Sequence, residues 1–378
     1  MNPRPSVFGR RSPPREVRVG GVRIGGGAPV AVQTMTTTPP DDPDAALAQI
    51  RAVARAGADL VRCAVPTVAC LDDFRRIAAE SPLPVIADVH FDWRIAVGAL
   101  RAGAAKVRVN PGNMPAEGGR LEELARMAAE LGRAVRIGVN SGSARAATGA
   151  GVPARKGASV AEEADADAAR RMADEALEYV ERFERAGLGN LVVSLKTPSA
   201  RSTVLANREL AGRCDLPIHL GVTHAGLEAD ALLKSAVALG GLLLDGIGDT
   251  LRLSYTGDPE REVAGALDLL RAAGLRRDRA ELIACPTCGR CRVRLVDWAE
   301  AVRRRLDEIP PSLTVAVMGC EVNGPGEAAA ADVGLAASGS GRATLFAGGR
   351  PIGTVAPEAA VDELIRLAAR MDMPDNFH

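Results

Sequence analysis

The sequence places C-P-T-C-G-R-C at Cys285–Cys291 and M-G-C-E-V-N-G-P-G-E-A at Met318–Ala328. A CxxC hairpin presents two thiolates to one metal, and Pro286 and Gly289 suit a tight turn around it. Cys291 extends the run to CxxCxxC, and Cys320 follows directly on the apolar run 313–318, which fixes it at a sheet edge. Cys285, Cys288, Cys291 and Cys320 are thus candidate ligands for an iron–sulfur cluster or for zinc. Buried cysteines without a ligand are the third reading. The CxxxCxxC pattern of radical-SAM proteins is absent. Cys63, Cys70 and Cys214 read as small structural hydrophobes.

A second constellation is cationic. Arg62, Arg108, Arg136, Lys196 and Arg252 interrupt or follow apolar runs, in the company of Asp88, His90, Asn110 and Asn140. With the two-residue side-chain period of a strand, Arg108 and Asn110 share a face, as do Arg136 and Asn140. Five cations converging on one mouth suit a polyanion, most economically a phosphate or diphosphate. The competing reading pairs each cation with a carboxylate, and the strands offer few: Asp88, Asp245 and Asp249.

The elements that must position these groups repeat with a short period. β-Branched apolar runs occupy 29–35, 59–65, 84–90, 106–110, 134–140, 190–196, 217–223 and 241–247. Segments with helical spacing lie between them, among them 44–56, 92–102, 117–131, 160–186 and 226–238. Eight βα units in about 230 residues predict an α/β fold, a closed (β/α)8 TIM-type barrel. A doubly wound open sheet is the alternative, but no GxGxxG follows the first run. Most of the polar residues lie toward the strands' C-terminal ends, where barrel enzymes bind substrate. The last barrel helix is expected at 258–275, which closes a substrate-binding domain over residues 1–275. Residues 276–378 then form a small α+β domain carrying the cysteines. Its helix-like stretch is 293–306, its apolar runs are 313–318, 332–337, 343–347 and 351–356, and its closing helix is 357–370. The Gly/Ala/Arg-rich stretch 141–157 reads as a flexible loop.

Composition narrows the class. The chain has 378 residues, 47% hydrophobic and 25% charged, which is ordinary for a globular protein. Lys+Arg and Asp+Glu balance at 47 each, arguing against a nucleic-acid or membrane surface set by bulk charge. The N-terminus has no apolar stretch of a secretory signal, and no run approaches the roughly 18 apolar residues that span a bilayer. Seven cysteines, an odd number, predict reduced thiols in the cytoplasm and favour metal binding over a disulfide framework.

The pairing of C-P-T-C-G-R (285–290) with M-G-C-E-V-N-G-P-G-E-A (318–328) closely resembles the 4-hydroxy-3-methylbut-2-enyl diphosphate synthase family of the non-mevalonate isoprenoid pathway. Further similar stretches run along nearly the whole chain. They are A-P-V-A-V-Q-T-M-T (28–36), G-A-D-L-V-R-C-A-V-P-T (57–67), A-D-V-H-F-D (87–92), V-R-V-N-P-G-N (107–113), R-I-G-V-N-S-G-S (136–143), H-L-G-V-T-H-A-G (219–226) and G-I-G-D-T-L-R-L-S (246–254). The resemblance implies a [4Fe-4S] cluster held by Cys285, Cys288, Cys320 and Glu327, with Cys291 outside the coordination sphere. It implies a two-domain homodimer in which one subunit's cluster domain closes over the other's barrel mouth. The implied reaction opens 2-C-methyl-D-erythritol 2,4-cyclodiphosphate reductively to 4-hydroxy-3-methylbut-2-enyl diphosphate, with two electrons from ferredoxin or flavodoxin. Glu327 would then be the displaceable ligand, since a carboxylate binds iron less tightly than a thiolate. Asn323, Gly324, Pro325 and Gly326 would form the turn that returns it to the cluster.

The chain departs from the family pattern in places. His224 stands where members carry a glutamate that is a candidate proton donor or substrate contact, and a histidine can donate protons near neutrality. His224 is therefore a candidate catalytic residue beside Glu327, with a purely supporting role as the other reading. The family's Q-S-M-T-N-T appears as Q-T-M-T-T-T (33–38), and the usual acid after Lys196 is replaced by Thr197-Pro198-Ser199. Two other functions fit parts of the pattern: a zinc-bearing binding protein, and an anion-binding barrel enzyme without redox chemistry.

Overall fold

The computed structural model describes residues 13–90, 92–110, 119–140, 158–338 and 341–371, with 158–164 described by backbone alone. The stretch 141–157, expected as a loop, lies outside them. The chain divides into two units, Met1–Arg276 and Arg277–His378. Among the described residues no helix is long and apolar enough to cross a membrane.

The first unit opens with an antiparallel hairpin, β1 (Val17–Val19) and β2 (Val22–Ile24). Eight parallel strands follow: β3 (Ala31–Met35), β4 (Leu60–Ala64), β5 (Val85–Asp88), β6 (Lys106–Val109), β7 (Ala134–Asn140), β8 (Leu191–Lys196), β9 (His219–Leu220) and β10 (Thr250–Leu251). They pair in the order β8-β7-β6-β5-β4-β3-β10-β9. A parallel bridge between Val193 and Ile218, just before β9, brings the two ends of the sheet together. This is the expected (β/α)8 barrel, and the alternation of side chains along its strands explains its two faces. On β6, Val107 and Val109 join the apolar layer under the outer helices, while Lys106 and Arg108 alternate with them. Val17, Val19 and Ile24 of the hairpin form one buried cluster with Ala31, Leu60, Ile86, Ala134 and Val192. The hairpin thus covers the N-terminal end of the barrel and leaves the C-terminal end to carry a site.

One strand differs from expectation. The apolar run 241–247 is not the eighth strand. A helix at Glu228–Ser235 continues through a π-turn at Ala236–Gly240 into the helical segment Gly241–Leu244, burying Leu242 and Leu243. The strand comes later, at Thr250–Leu251. A short apolar run reads the same in a strand and in a buried helical turn, and here helix continuity decides.

The second unit is a five-stranded sheet, β11 (Glu281–Ala284), β12 (Thr314–Met318), β13 (Val333–Ala337), β14 (Ala343–Ala347) and β15 (Arg350–Val355). β11, β12 and β13 run parallel, while β13, β14 and β15 are antiparallel. Helices Leu295–Arg303 and Ala360–Arg370 cover one face through Leu295, Trp298, Val302, Leu364 and Ile365. A helix at Gly324–Ala330 packs on the other, with Ala328 against Met318 and Ala336. Asn323–Gly326 therefore do not make an open turn. They start that helix, with Pro325 in its first turn, where its missing N–H costs no hydrogen bond. Glu327 also lies in this first turn. β11 adds a strand to the expected set, since its mostly exposed edge position leaves E-L-I-A without a clear apolar signature.

Candidate functional site

The C-terminal ends of the barrel strands surround a cavity of about 320 Å³, a size that suits a small ligand. Arg62, Asp88, His90, Arg108, Arg136, Asn140, Lys196, His224 and Arg252 all line it, so the fold gathers these candidates from separate strands. Ser194, Thr223 and Ser254 add hydroxyls. Asn110 is buried just after β6 and is not among the described lining residues.

Parallel register explains the convergence. Asp88 pairs with Arg108 across β5 and β6, Arg108 with Arg136 across β6 and β7, and Asn140 with Lys196 across β7 and β8. Asp88 is the shared counter-charge. Its carboxylate lies 3.3 Å from His90 Nε2, 3.5 Å from Arg108 Nη1 and 3.9 Å from Arg62 Nε. Burial opposes ionisation of Asp88, but Arg62, the His90 hydrogen bond and Arg108 outweigh it and hold the carboxyl far below the usual range. Burial lowers Arg62 to about 10, which leaves it protonated at neutral pH.

A second carboxylate beside these cations is Glu262, which the strand pattern does not reveal because it comes from the helix Pro259–Ala272. It accepts from Arg252 Nε at 3.1 Å and Nη2 at 3.2 Å, and from Thr34 Oγ1 at 3.0 Å. Its signal was an acid on an apolar helical face, in line with Val263, Ala266 and Leu270. Asp245 and Asp249 are engaged elsewhere, with Arg208 and with the Ile218 N–H. Met35 Sδ accepts from both Arg62 and Arg252, at 2.9 Å from Arg62 Nη2 and 3.4 Å from Arg252 Nη1.

Beneath the mouth the charge imbalance deepens. Lys106 and Arg136 are 0% and 1% exposed, and Lys106 Nζ and Arg136 Nε and Nη1 lack a hydrogen-bond partner. Burial, reinforced by Arg62 and Arg108, weakens the hold of Arg136 on its proton, and burial beside Arg136 and Arg62 does the same to Lys106. Six cations in the described barrel (Arg62, Lys106, Arg108, Arg136, Lys196 and Arg252) therefore face the carboxylates of Asp88 and Glu262. Barrel interiors are ordinarily filled by branched aliphatics. Uncompensated buried cations are costly, and among the described residues these carboxylates do not balance the cations.

Two glycines make room for the cations. A Cβ on Gly138 would stand 2.9 Å from Arg108 Nε, and one on Gly221 would stand 2.5 Å from Lys196 Nζ. Gly221→Ala pushes the flexible end of Lys196 aside and needs the Arg252 carbonyl, 3.1 Å from the same Cβ, to give by a few tenths of an ångström, so it moves the ammonium out of position. Losing one charge-assisted contact predicts about 10–100-fold weaker diphosphate binding, measurable by calorimetry. His224 lines the cavity in a left-handed conformation, φ 52°, the one non-glycine residue with positive φ among those described. Such backbone outliers gather at functional sites.

In the second unit, parallel pairing of Ala284 with Val317 puts Cys285 and Gly319–Cys320 at the same ends of adjacent strands. Cys285 Sγ accepts from the Gly319 N–H at 3.3 Å. The N–H groups of Asn323 and Val322 favour the Cys320 thiolate and lower its pKa, and the backbone and side chain of Arg290 do so for Cys288. Cys291 instead donates to the Val293 carbonyl at 3.2 Å and packs against Gly319. Among the described residues no three of His, Cys, Asp and Glu stand close enough together to hold a metal ion. The donor chemistry nonetheless suits a thiolate-ligated group: backbone N–H groups directed at sulfur stabilise thiolates and tune Fe–S sites.

Comparison with known proteins fits both units. Residues 14–267 match the GcpE TIM-barrel domain, and residues 281–370 match the GcpE protein C-terminal domain. The chain is 44% identical to the 4-hydroxy-3-methylbut-2-en-1-yl diphosphate synthase (flavodoxin) of Geobacter sulfurreducens, over 93% of this chain and 96% of that protein. It is 42% identical to the proteins of that name from Salinispora arenicola, over 99% and 94%, and Aquifex aeolicus, over 95% and 96%. A looser likeness, TM-score 0.46 at 13% identity over 68% of this chain and 98% of the other, extends to Yersinia pestis dihydropteroate synthase. Matched in both units and along nearly its full length, the chain belongs to the GcpE family.

Proposed function

We propose that the chain opens 2-C-methyl-D-erythritol 2,4-cyclodiphosphate reductively to (E)-4-hydroxy-3-methylbut-2-enyl diphosphate. The reaction takes up two electrons, delivered by flavodoxin or ferredoxin, and one proton, and releases one hydroxyl as water. The observation that carries this reading is the excess of buried cations around the cavity, which a cyclic diphosphate would neutralise. The names of the relatives supply the product and the flavodoxin donor.

Each protein group then has a task. Arg108, Arg136 and Lys196 hold the phosphoryl oxygens, and Arg62 and Arg252 do so from orientations fixed by Asp88 and Glu262. His90, Asn140 and Ser254 lie at the cavity wall to meet the substrate's hydroxyls, and Asn110 supports the same rim. Cys285, Cys288, Cys320 and Glu327 would hold a [4Fe-4S] cluster, with Glu327 the harder and weaker donor and Cys291 left out. When bound, the cluster supplies electrons one at a time for C–O cleavage. The enzyme works as a homodimer in the cytoplasm.

His224 is assigned to proton donation or to a substrate hydroxyl. His224→Ala should lower kcat by about 100-fold, the lower range for a general acid, while His224→Glu retains most of it. An alanine variant with unchanged kcat removes His224 from the chemistry. The reading itself is tested by calorimetry: the cyclodiphosphate should bind tightly and release sharply with salt. Failure to bind, in a folded protein, overturns it.

A further inference from the structure

Lys196 Nζ lies 3.2 Å from His219 Nε2, and the other ring nitrogen of His219 lies 3.4 Å from Thr250 Oγ1. Lys196 lines the cavity, whereas His219, at 0% exposure, sits behind it. His219 is thus the innermost member of a short line of groups leading from the anion site into the barrel. The groups that surround the pair are mostly cations: Arg136, Lys106 and Arg62 act on His219, and Arg136, Arg62, Arg252 and Arg108 act on Lys196. The nearby carboxylates, Asp88 and Glu262, are already engaged by Arg62, Arg108, His90, Arg252 and Thr34. Two full positive charges at this separation, buried and ringed by cations, are strongly disfavoured.

We propose that Lys196 and His219 share a single proton while the anion site is empty, and that entry of a cyclic diphosphate loads a second proton from solvent onto the pair. The geometry supports both states. With one proton, an N–H of one partner donates to the lone pair of the other. With two, the lysine ammonium turns to a phosphoryl oxygen in the cavity that Lys196 lines, and the imidazolium donates from Nδ1 to Thr250 Oγ1. The source of the second proton is bulk water, and no bond other than N–H is made. Burial and the surrounding cations depress the proton affinity of both groups in the empty site, which is the direction the device requires. The inference rests on the polyanion reading of the cavity and adds to it a proton coupling and a role for His219 as a positioning residue.

The test is calorimetric titration of the oxidised holoenzyme with 2-C-methyl-D-erythritol 2,4-cyclodiphosphate, without reductant, so that binding occurs and turnover does not. Each phosphoryl group of this cyclic ligand has one strongly acidic hydroxyl, so the ligand brings no proton change of its own near pH 8. The binding enthalpy, measured in buffers of different ionisation enthalpy, should report uptake of about one proton per site. His219→Gln should bind within about tenfold of wild type and lose the uptake. His219→Asn is the second variant should the first not fold. Lys106→Met should keep the uptake, which separates the pair from its buried neighbour. Binding without proton uptake in the wild type overturns the inference and leaves the polyanion reading standing. Uptake that persists in the folded His219 variants also overturns it. Absence of binding overturns both.

Discussion

Arg136→Met should make the ligand-free protein more stable and the enzyme far worse. The guanidinium is 1% exposed, has two nitrogens without partners and sits among Arg62 and Arg108. Replacing such a group by an apolar side chain removes a desolvation cost, which predicts a gain of about 1–4 kcal/mol in the empty state. With the diphosphate bound, the same change deletes a buried charge pair. Losses of about 2–5 kcal/mol follow, or roughly 30- to 5,000-fold in affinity for the cyclodiphosphate. Thermal unfolding with and without ligand reads both effects: the empty midpoint rises and the ligand-induced shift collapses. A ligand-free Arg136→Met protein that is destabilised shows instead that the native interior satisfies this cation without an anion.

Cys320→Ala should abolish turnover while sparing substrate binding. Cys320 combines a position directly after a buried strand with N–H donors from the start of the helix Gly324–Ala330, which together fix it and favour its thiolate. Removing outer-shell partners of a metal centre costs about 10–100-fold, so loss of a direct ligand should exceed about a thousandfold in kcat. Iron and acid-labile sulfide should fall with it. The affinity of the barrel for the cyclodiphosphate should stay close to wild type, because the described groups that line the cavity belong to the first unit. A Cys320→Ala protein with full iron content removes this residue from the ligand set.

The barrel cations were legible in the sequence because each is a charge in the wrong place. Arg62, Arg108 and Arg136 stood out because strands buried on both faces seldom carry cations. The cysteine spacing was legible because ligand geometry constrains it along the chain. Glu262 was hidden because its partners Thr34, in β3, and Arg252, just after β10, are far from it or from each other along the chain, and helices give acids many innocent reasons to occur. Lys106, at the start of β6, was not among the candidates, yet the closed barrel buries it completely. His219 looked like one polar residue in an apolar run, and only the fold brings Lys196 to it. The eighth strand is two residues long, too short to leave a pattern, while the longer G-L-L-L run beside it belongs to a helix. The short helix that carries Glu327 was masked by Gly-Pro-Gly, which reads as a turn and serves as a helix start.

A cation-filled barrel that binds a cyclic diphosphate must also, in the whole chain, lead to its reduction. Anaerobic incubation of the iron-loaded protein with the cyclodiphosphate and reduced flavodoxin, following the linear diphosphate by phosphorus NMR, tests it most directly. One 4-hydroxy-3-methylbut-2-enyl diphosphate should form for every two electrons consumed, with strong impairment in Arg136→Met. A protein that holds its iron–sulfur group, binds the cyclodiphosphate, accepts electrons and forms no linear product contradicts it.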